Sequence, residues 1–398
     1  MKLSAWNPRP SESRPTWAEI SLPQIGKNFQ AIQRRVGKRC HVMAVVKADA
    51  YGHGAVPVSK FLASCGVEWF GVATLEEAAA LRDAGLKRNI LVLGTFFPAQ
   101  ARAAVEINAR ITASSVPHLE ALNRAGTPQK PVKVHLKFDT GMNRMGFSCE
   151  ESEKLARRWA ERRWKNLRLE GIFTHLSSAE QIEAPSNRAQ EDLFLRVLTT
   201  FEDAGVEVPL RHVANSAGAS FHSTLRWDMV RAGIALYGYE FRSRGIKPMG
   251  TAPALSLKTR VLHLKRVPRN SPLGYNGTYR MRRPGVIATL PIGYADGVNR
   301  RLSFANVKPY SRQNARPEPM CVLIRGRRAP LVGRVSMDLI LADVTEIPDV
   351  HVGDEVVLLG RSGSQVMTAE DWASYLGTIS YEILCALSPR VYRVYVQH

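Results

Sequence analysis

In the stretch MAVVKADAYGHGA, Lys47 follows the apolar run Met43 to Val46, where another hydrophobic residue would continue the pattern. The run has the character of a strand buried on both faces. A lysine at its end, followed by a glycine-rich turn, presents a primary amine at the edge of a core. Other polar groups stand in comparable places: Asp139 after VKVHLKF, His175 after GIFT, Ser216 within VANSAG, and Arg231 within MVRAGIALYG. The hydroxyls and glycine N–H groups of NSAG and RAGIALYG suit a phosphate. A lysine facing such a pocket suits a Schiff base to a phosphorylated aldehyde, and pyridoxal 5'-phosphate has that chemistry. Each residue alone has a plainer reading. A strand-end lysine snorkels, His, Asp and Arg make structural hydrogen bonds, and the glycines of AYGHG form a turn.

Whether these groups meet depends on the elements that carry them. Short β-rich runs recur as HVMAVVKADAY, EWFGVAT, NILVLGT, RITASS, VKVHLKFDT, LEGIFTHL, RHVANSAG and MVRAGIALYG. Helical patterns such as LEEAAALRDAG, VPHLEALNRAG and NRAQEDLFLRVLTTFEDAG lie between most of them, several ending on a C-cap glycine. Eight strands with intervening helices are the rhythm of a (β/α)8 TIM-type barrel, whose chemistry sits at the C-terminal ends of the strands. No G-x-G-x-x-G follows the first run, which disfavours a doubly wound sheet. In this frame Lys47, Asp139, His175, Ser216 and Arg231 end strands one, five, six, seven and eight and converge on one rim. The barrel is expected over 15–250. Residues 251–398, with ALSLKTRVLHLKRV, GVIATLPIGYADG and CVLIRGRRAPLVGRVS, read as a mainly antiparallel β domain that residues 1–14 could join. In it TAEDWASYLG opens as a capped helix.

Composition sets outer limits. The 398 residues suffice for a barrel and an attachment, and 45% hydrophobic with 23% charged residues is ordinary for a globular chain. No apolar run is long enough for a membrane helix, and the N-terminal stretch lacks a secretory apolar core. Five cysteines without a C-x-x-C pair indicate neither a disulfide framework nor a zinc site, so no metal is expected and the location expected is cytoplasmic. The net charge of +20 and runs such as RRWAERRWKNLR raise nucleic-acid binding, but no recognition motif accompanies them. A solvated basic surface is the simpler expectation.

A resemblance carries the reading further. AVVKADAYGHGA is similar to the cofactor-attachment motif of the alanine racemases. LKFDTGMNRMGF, THLSSA, ANSAG, VRAGIALYG, GYNGTY, LPIGYADG, VGRVSMD and SYEILCALSPRV resemble further blocks of that family in its order, over about residues 41 to 393. The resemblance implies a fold-type III pyridoxal-phosphate enzyme that interconverts L- and D-alanine by two bases, supplies D-alanine for peptidoglycan, and works as a homodimer with shared sites. Lys47 would bind the cofactor and serve the D face, and Tyr275, reaching across from the partner subunit, the L face. Tyr51, Asn215, Ser216, Gly233, Ile234 and Tyr381 match phosphate-binding positions. His175 matches the residue packed along the pyridine ring, and Arg231 the partner of its nitrogen.

The same resemblance implies that Arg144 positions the substrate carboxylate and the tyrosine oxygen. Lys137 matches a lysine often carbamylated in the family. Met337 and Asp338 match positions near the substrate carboxylate, and Tyr294, Arg300 and Arg334 the entryway. The alternatives are a broader-specificity or serine racemase, a related barrel-fold decarboxylase, and a non-enzymatic pyridoxal-phosphate homeostasis protein. The last would leave residues 251–398 unexplained.

Overall fold

A computed structural model describes residues 14–94, 96–308 and 318–396. The chain divides into two compact units, one from Gln24 to Ala252 and the other formed by the segment up to Pro23 together with the chain from Pro253.

The first unit is the barrel. Its eight strands are β2 (His41–Val45), β3 (Trp69–Val72), β4 (Asn89–Val92), β5 (Arg110–Ala113), β6 (Val132–Lys137), β7 (Leu167–Phe173), β8 (Leu210–His212) and β9 (Met229–Ala232). They run parallel, each beside its neighbour in sequence from β2 to β8, with β9 against β2. At the remaining seam the Arg231 N–H donates to the Ala214 carbonyl at 2.9 Å. All four residues of β3 and of β9 are buried, which is why these strands read as apolar runs rather than alternations. Met43, Trp69, Leu91 and Met229 fill one layer of the interior.

The helices foreseen between the strands form at Leu75–Asp83, Ala101–Glu106, Val116–Ala125, Ser152–Ala160 and Pro185–Asp203. Helices that were not foreseen include Leu22–Val36 and Ala55–Ser64. The first of these has Ile25, Phe29 and Ile32 on one buried stripe at helical spacing.

The second unit is β-rich and begins outside its own stretch of sequence. Strand β1 (Thr16–Ser21) pairs antiparallel with Leu255–Arg260 and parallel with Tyr392–Val396. Its first side chain is fixed twice: the Thr16 hydroxyl lies 2.9 Å from that of Thr259 and donates to the Pro291 carbonyl at 2.8 Å. The boundary placed at residue 15 is therefore corrected, since β1 belongs to this unit and the division falls after Pro23. The strands Glu355–Ser362 and Cys321–Ile324 extend the same sheet. A second, antiparallel sheet joins His263–Val267, Gly285–Leu290 and Ile340–Asp343. Val267, Leu273, Tyr279, Met281, Ile287, Phe304 and Val332 form a core cluster. The helix Ala369–Leu376 starts as its sequence indicates, with the Thr368 hydroxyl accepting from the Asp371 N–H and the Asp371 carboxylate accepting in return.

Candidate functional site

Lys47 stands just beyond β2 and opens a turn of unusual hand. Ala48, Asp49, Ala50 and Tyr51 all have φ between 52° and 54°, one turn of left-handed helix made without glycine. Such a conformation costs roughly 1–2 kcal/mol per residue and persists only where surroundings impose it. Glu77 does so: one carboxylate oxygen accepts from the Ala48 N–H and the other from the Ala73 N–H, each at 2.6 Å. Asp49 accepts from the Ala55 N–H at 2.7 Å. The glycines of AYGHG do form a turn, with φ of 79° at Gly52 and 90° at Gly54, and the left-handed backbone begins ahead of them. The turn leaves Lys47 exposed and buries Tyr51.

Tyr51 leads to a cradle. A methyl added at Gly233 would stand 2.5 Å from the Tyr51 hydroxyl, so a side chain there would displace the tyrosine. The Ser216 hydroxyl accepts from the Gly233 N–H at 3.0 Å and the Ala235 N–H at 3.4 Å. Asn215 caps the short helix Ser216–Phe221, accepting from the Gly218 N–H at 2.9 Å. Ile234 opens the one-turn helix Ile234–Tyr237. Five of the matched phosphate positions thus meet; Tyr381, in the helix Ser380–Cys385, lies in the other unit.

Arg231 lies within β9 itself, not on the loop after it, and is 4% exposed. One terminal nitrogen donates to Nδ1 and the carbonyl oxygen of His212 at 3.0 and 2.9 Å. The other donates to the carbonyls of Thr174 and Val213 at 2.8 and 2.9 Å and to Nδ1 of His175 at 3.0 Å. The Nε–H makes no hydrogen bond among the described residues.

Cations gather around this point. Burial and the charges of Arg231, Arg144, Lys137 and Lys47 push His175 well below the usual histidine range, so its imidazole is neutral. Burial, with Arg144 and Arg231 next, lowers the buried Lys137 amine to about 8. Asp139 faces a different task than its strand-end position suggests. Its carboxylate accepts from the N–H groups of Gly141, Asn143 and Arg144 at 2.9 to 3.0 Å and shapes the loop that bears Arg144.

The remaining candidates cluster within the β-rich unit. Gly274 packs on the backbone of Arg334, which brings the Tyr275 turn beside it. The Tyr294 and Ala295 N–H groups donate to the carbonyls of Ser336 and Met337, each at 3.0 Å. The Ser303 hydroxyl links the Arg300 carbonyl to the Val335 N–H. Arg390 donates to Asp338 at 2.6 Å and lies 3.5 Å from Asp296, whose fully buried carboxylate also receives both terminal nitrogens of Arg14. Tyr275, Tyr294 and Met337 are nevertheless exposed, at 66%, 41% and 52%. Sequence reasoning did not single out Glu77, His135, Glu170, His212 or Asp296. The alternation in VKVHLK places His135 and Lys137 on one strand face and was the available signal for the first of the histidines.

Comparison with known proteins shows the family. Residues 20–241 match the family model "Alanine racemase, N-terminal domain" and residues 254–395 match "Alanine racemase, C-terminal domain". The chain is 41% identical over 388 residues to alanine racemase 2 of Caldanaerobacter subterraneus subsp. tengcongensis, covering 97% of this chain and 96% of that protein. It is 43% identical over 383 residues to the alanine racemase of Symbiobacterium thermophilum, covering 96% and 97%. Among solved structures, the alanine racemase from E. faecalis superposes with a TM-score of 0.86 at 36% identity, covering 96% of this chain and 98% of that one. The Bacillus anthracis enzyme, solved with bound L-Ala-P, gives 0.87 at 34%, covering 98% and 96%. The chain is an isomerase and belongs to the alanine racemase family.

Proposed function

We propose that the protein interconverts L- and D-alanine with pyridoxal 5'-phosphate, and that Lys47 and Tyr275 are its two bases. The observation that carries this reading is the gathering of Lys47, Lys137, Arg144 and Arg231 around the neutral ring of His175. Such a site favours a doubly negative phosphate together with a substrate carboxylate. The residues fit the cofactor. Tyr51, Ser216, Gly233 and Ile234, with Asn215 holding the helix start, form a cradle that a single Cβ would fill. The unaccepted Nε–H of Arg231 suits a bare ring nitrogen. Bound there, the cofactor would supply an electron sink that acidifies the α-proton of alanine.

The chain's own groups then divide the work. Lys47 Nζ, at the start of the left-handed turn, handles the α-proton on the D face. Tyr275 Oη handles it on the L face. Arg231, a cation that does not give up its proton, keeps the ring nitrogen unprotonated and so restrains side reactions such as transamination. Arg144 orients the substrate carboxylate, and Met337 and Asp338 border it. Tyr294, Arg300 and Arg334 line the entry, and Tyr381 joins the phosphate contacts and narrows the inner end. The low-lying amine of Lys137 provides the neutral form that carbon dioxide requires, and a carbamate there would orient Arg144.

Exposure of Tyr275, Tyr294 and Met337 supports a homodimer in which these residues complete the partner's site. The product would be D-alanine for peptidoglycan, made in the cytoplasm. Among the described residues no helix is long and apolar enough to cross a membrane. The deciding experiment is to supply the purified protein with pyridoxal phosphate and L-alanine and to measure D-alanine, carbon dioxide and a panel of other L-amino acids. D-Alanine formed fastest is the expected result; carbon dioxide release, or no turnover of any amino acid, sinks the proposal.

A further inference from the structure

A chain of buried polar groups runs inward from Arg231. A terminal N–H of Arg231 meets His212 Nδ1 at 3.0 Å, His212 Nε2 meets His135 Nδ1 at 2.9 Å, and His135 Nε2 meets a Glu170 oxygen at 3.4 Å. Both histidines are fully buried. Glu170 in turn lies 3.1 Å from Arg110, the first residue of β5, and 3.3 Å from Lys133, near the start of β6. The chain therefore extends toward the N-terminal ends of the strands, away from the rim that bears Lys47.

Its direction is forced from one end to the other. A guanidinium can only donate, so His212 Nδ1 must be bare. A neutral ring then carries its proton on Nε2 and donates it to His135 Nδ1, which must also be bare. The His135 proton lies on Nε2 and points at the carboxylate, which can only accept. Both rings are thus neutral Nε2–H tautomers, consistent with the downward shift that burial gives each and with a Glu170 carboxyl held down near 2, against the effect of burial, by His135, Arg110 and Lys133.

The backbone is arranged to allow this. The pairing of β6 with β7 shifts register between Val134 and His135. A Cβ at Gly171, beside Glu170, would fall 2.6 Å from His135 Nδ1. His212 stacks on Phe173 at 4.6 Å and 7°, and His135 sits edge-on to Trp69 at 5.8 Å, so neither ring turns over readily. Every hydrogen-bond acceptor of Arg231 among the described residues is a carbonyl or an imidazole. The carboxylate that answers its charge through this chain is Glu170, three hydrogen bonds away.

We infer that Glu170 is a positioning residue for Arg231, acting through His135 and His212 as a one-way hydrogen-bond chain that fixes both tautomers and holds the Arg231 Nε–H toward the cofactor. The catalytic consequence rests on the reading of Arg231 given above; the chain itself does not. Without the carboxylate the His135 Nε2–H loses its acceptor, and the chain is held in its direction from the guanidinium end alone.

The test uses the full-length protein labelled with 15N-histidine, with signals assigned through single His→Gln variants. The expected result is two neutral Nε2–H rings in the wild type. In Glu170→Gln the Nε2–H signals of both His135 and His212 should move, kcat should fall roughly threefold, and KM should stay nearly unchanged, a size suited to attenuation along a cooperative chain. Glu170→Asp should recover part of the loss. Lys133→Met, which frees the carboxylate from one cation, should move the His135 signal the opposite way. An imidazolium or an Nδ1–H ring at either position in the wild type overturns the inference, even if Glu170→Gln fails to fold. So does a Glu170→Gln protein in which His135 moves and His212 does not. If His212 moves while kcat and the cofactor's absorption stay constant, the chain stands and the assignment of Arg231 to the ring nitrogen falls instead.

Discussion

The barrel rim and the loop cluster of the β-rich unit both carry candidate residues, but they are built to opposite specifications. At the rim, Arg231 is buried under five hydrogen bonds, the Ser216 hydroxyl takes two N–H groups, and Glu77 pins a turn that would not otherwise form. In the loop cluster the backbones are tied together, yet the Tyr275, Tyr294 and Met337 side chains stand in solvent. A group that must present fixed charge to a cofactor is best made rigid before the cofactor arrives. A group that acts on a neighbour's site is left uncovered in the single chain. In the contrast the rim is preorganised, whereas the loop cluster, on the function proposed above, is completed by a second copy.

The largest effects are expected at the two proposed bases. Lys47→Ala should reduce racemisation roughly 10³-fold or more in both directions, since neither cofactor attachment nor a base at that face remains. Tyr275→Phe should cut the rate most when L-alanine is the substrate and the exchange of its α-deuterium is followed. Equal losses of α-deuterium exchange from L- and from D-alanine in Tyr275→Phe would remove the division of faces.

Mixing addresses whether the exposed half serves a partner. Lys47→Ala and Tyr275→Ala proteins, each nearly inactive, should recover roughly a quarter of wild-type activity after random subunit exchange, because half the dimers are hybrids with one intact site. Differently tagged chains verify exchange. Verified hybrids without activity would place both bases in one chain.

Gly233→Ala measures how tightly the rim is fitted. Its added methyl would meet the Tyr51 hydroxyl, so cofactor affinity should fall about tenfold while thermal stability changes little. Unaltered affinity, read by titrating pyridoxal phosphate against the apoprotein's fluorescence, would show the cradle to be looser than its geometry.

The smallest expected effect is on stability against pH. Glu170 has a folded-state pKa near 2, below its ordinary 4.5. Its contribution is present above about 4.5 and is lost as pH falls toward 2. Chemical denaturation across that window should show a flatter curve for Glu170→Gln than for wild type. Parallel curves would mean that the ion pairs with Arg110 and Lys133 persist in the unfolded chain.

Legibility followed the range of the interactions. Barrel strands buried on both faces were readable because they leave apolar runs, as in WFGV and MVRA. The Thr368 cap was readable because its partner is three residues away. Strand β1 was not, because both of its partners lie more than two hundred residues along the chain. The left-handed turn was hidden for another reason: Ala48 and Ala50 have no local preference for positive φ, and Glu77 ties the turn down from the helix Leu75–Asp83. His135, Glu170 and His212 are single polar letters in three strands, and only the shear of the barrel sets them in line.

The placement of β1 also bears on how the protein is made. Ala18 emerges from the ribosome early, but the residue beside it in the parallel pair is Arg393. The whole span Gln24–Ala252 is translated between β1 and its first partner, Leu255–Arg260. The nascent barrel can gather its strands in order, each next to the one before it, while β1 waits with open edges. Premature release of the chain before residue 392 would leave one edge of β1 bare, a surface that invites other strands. Vectorial synthesis thus favours the barrel first and closes the β-rich unit only when its two distant segments are both in hand.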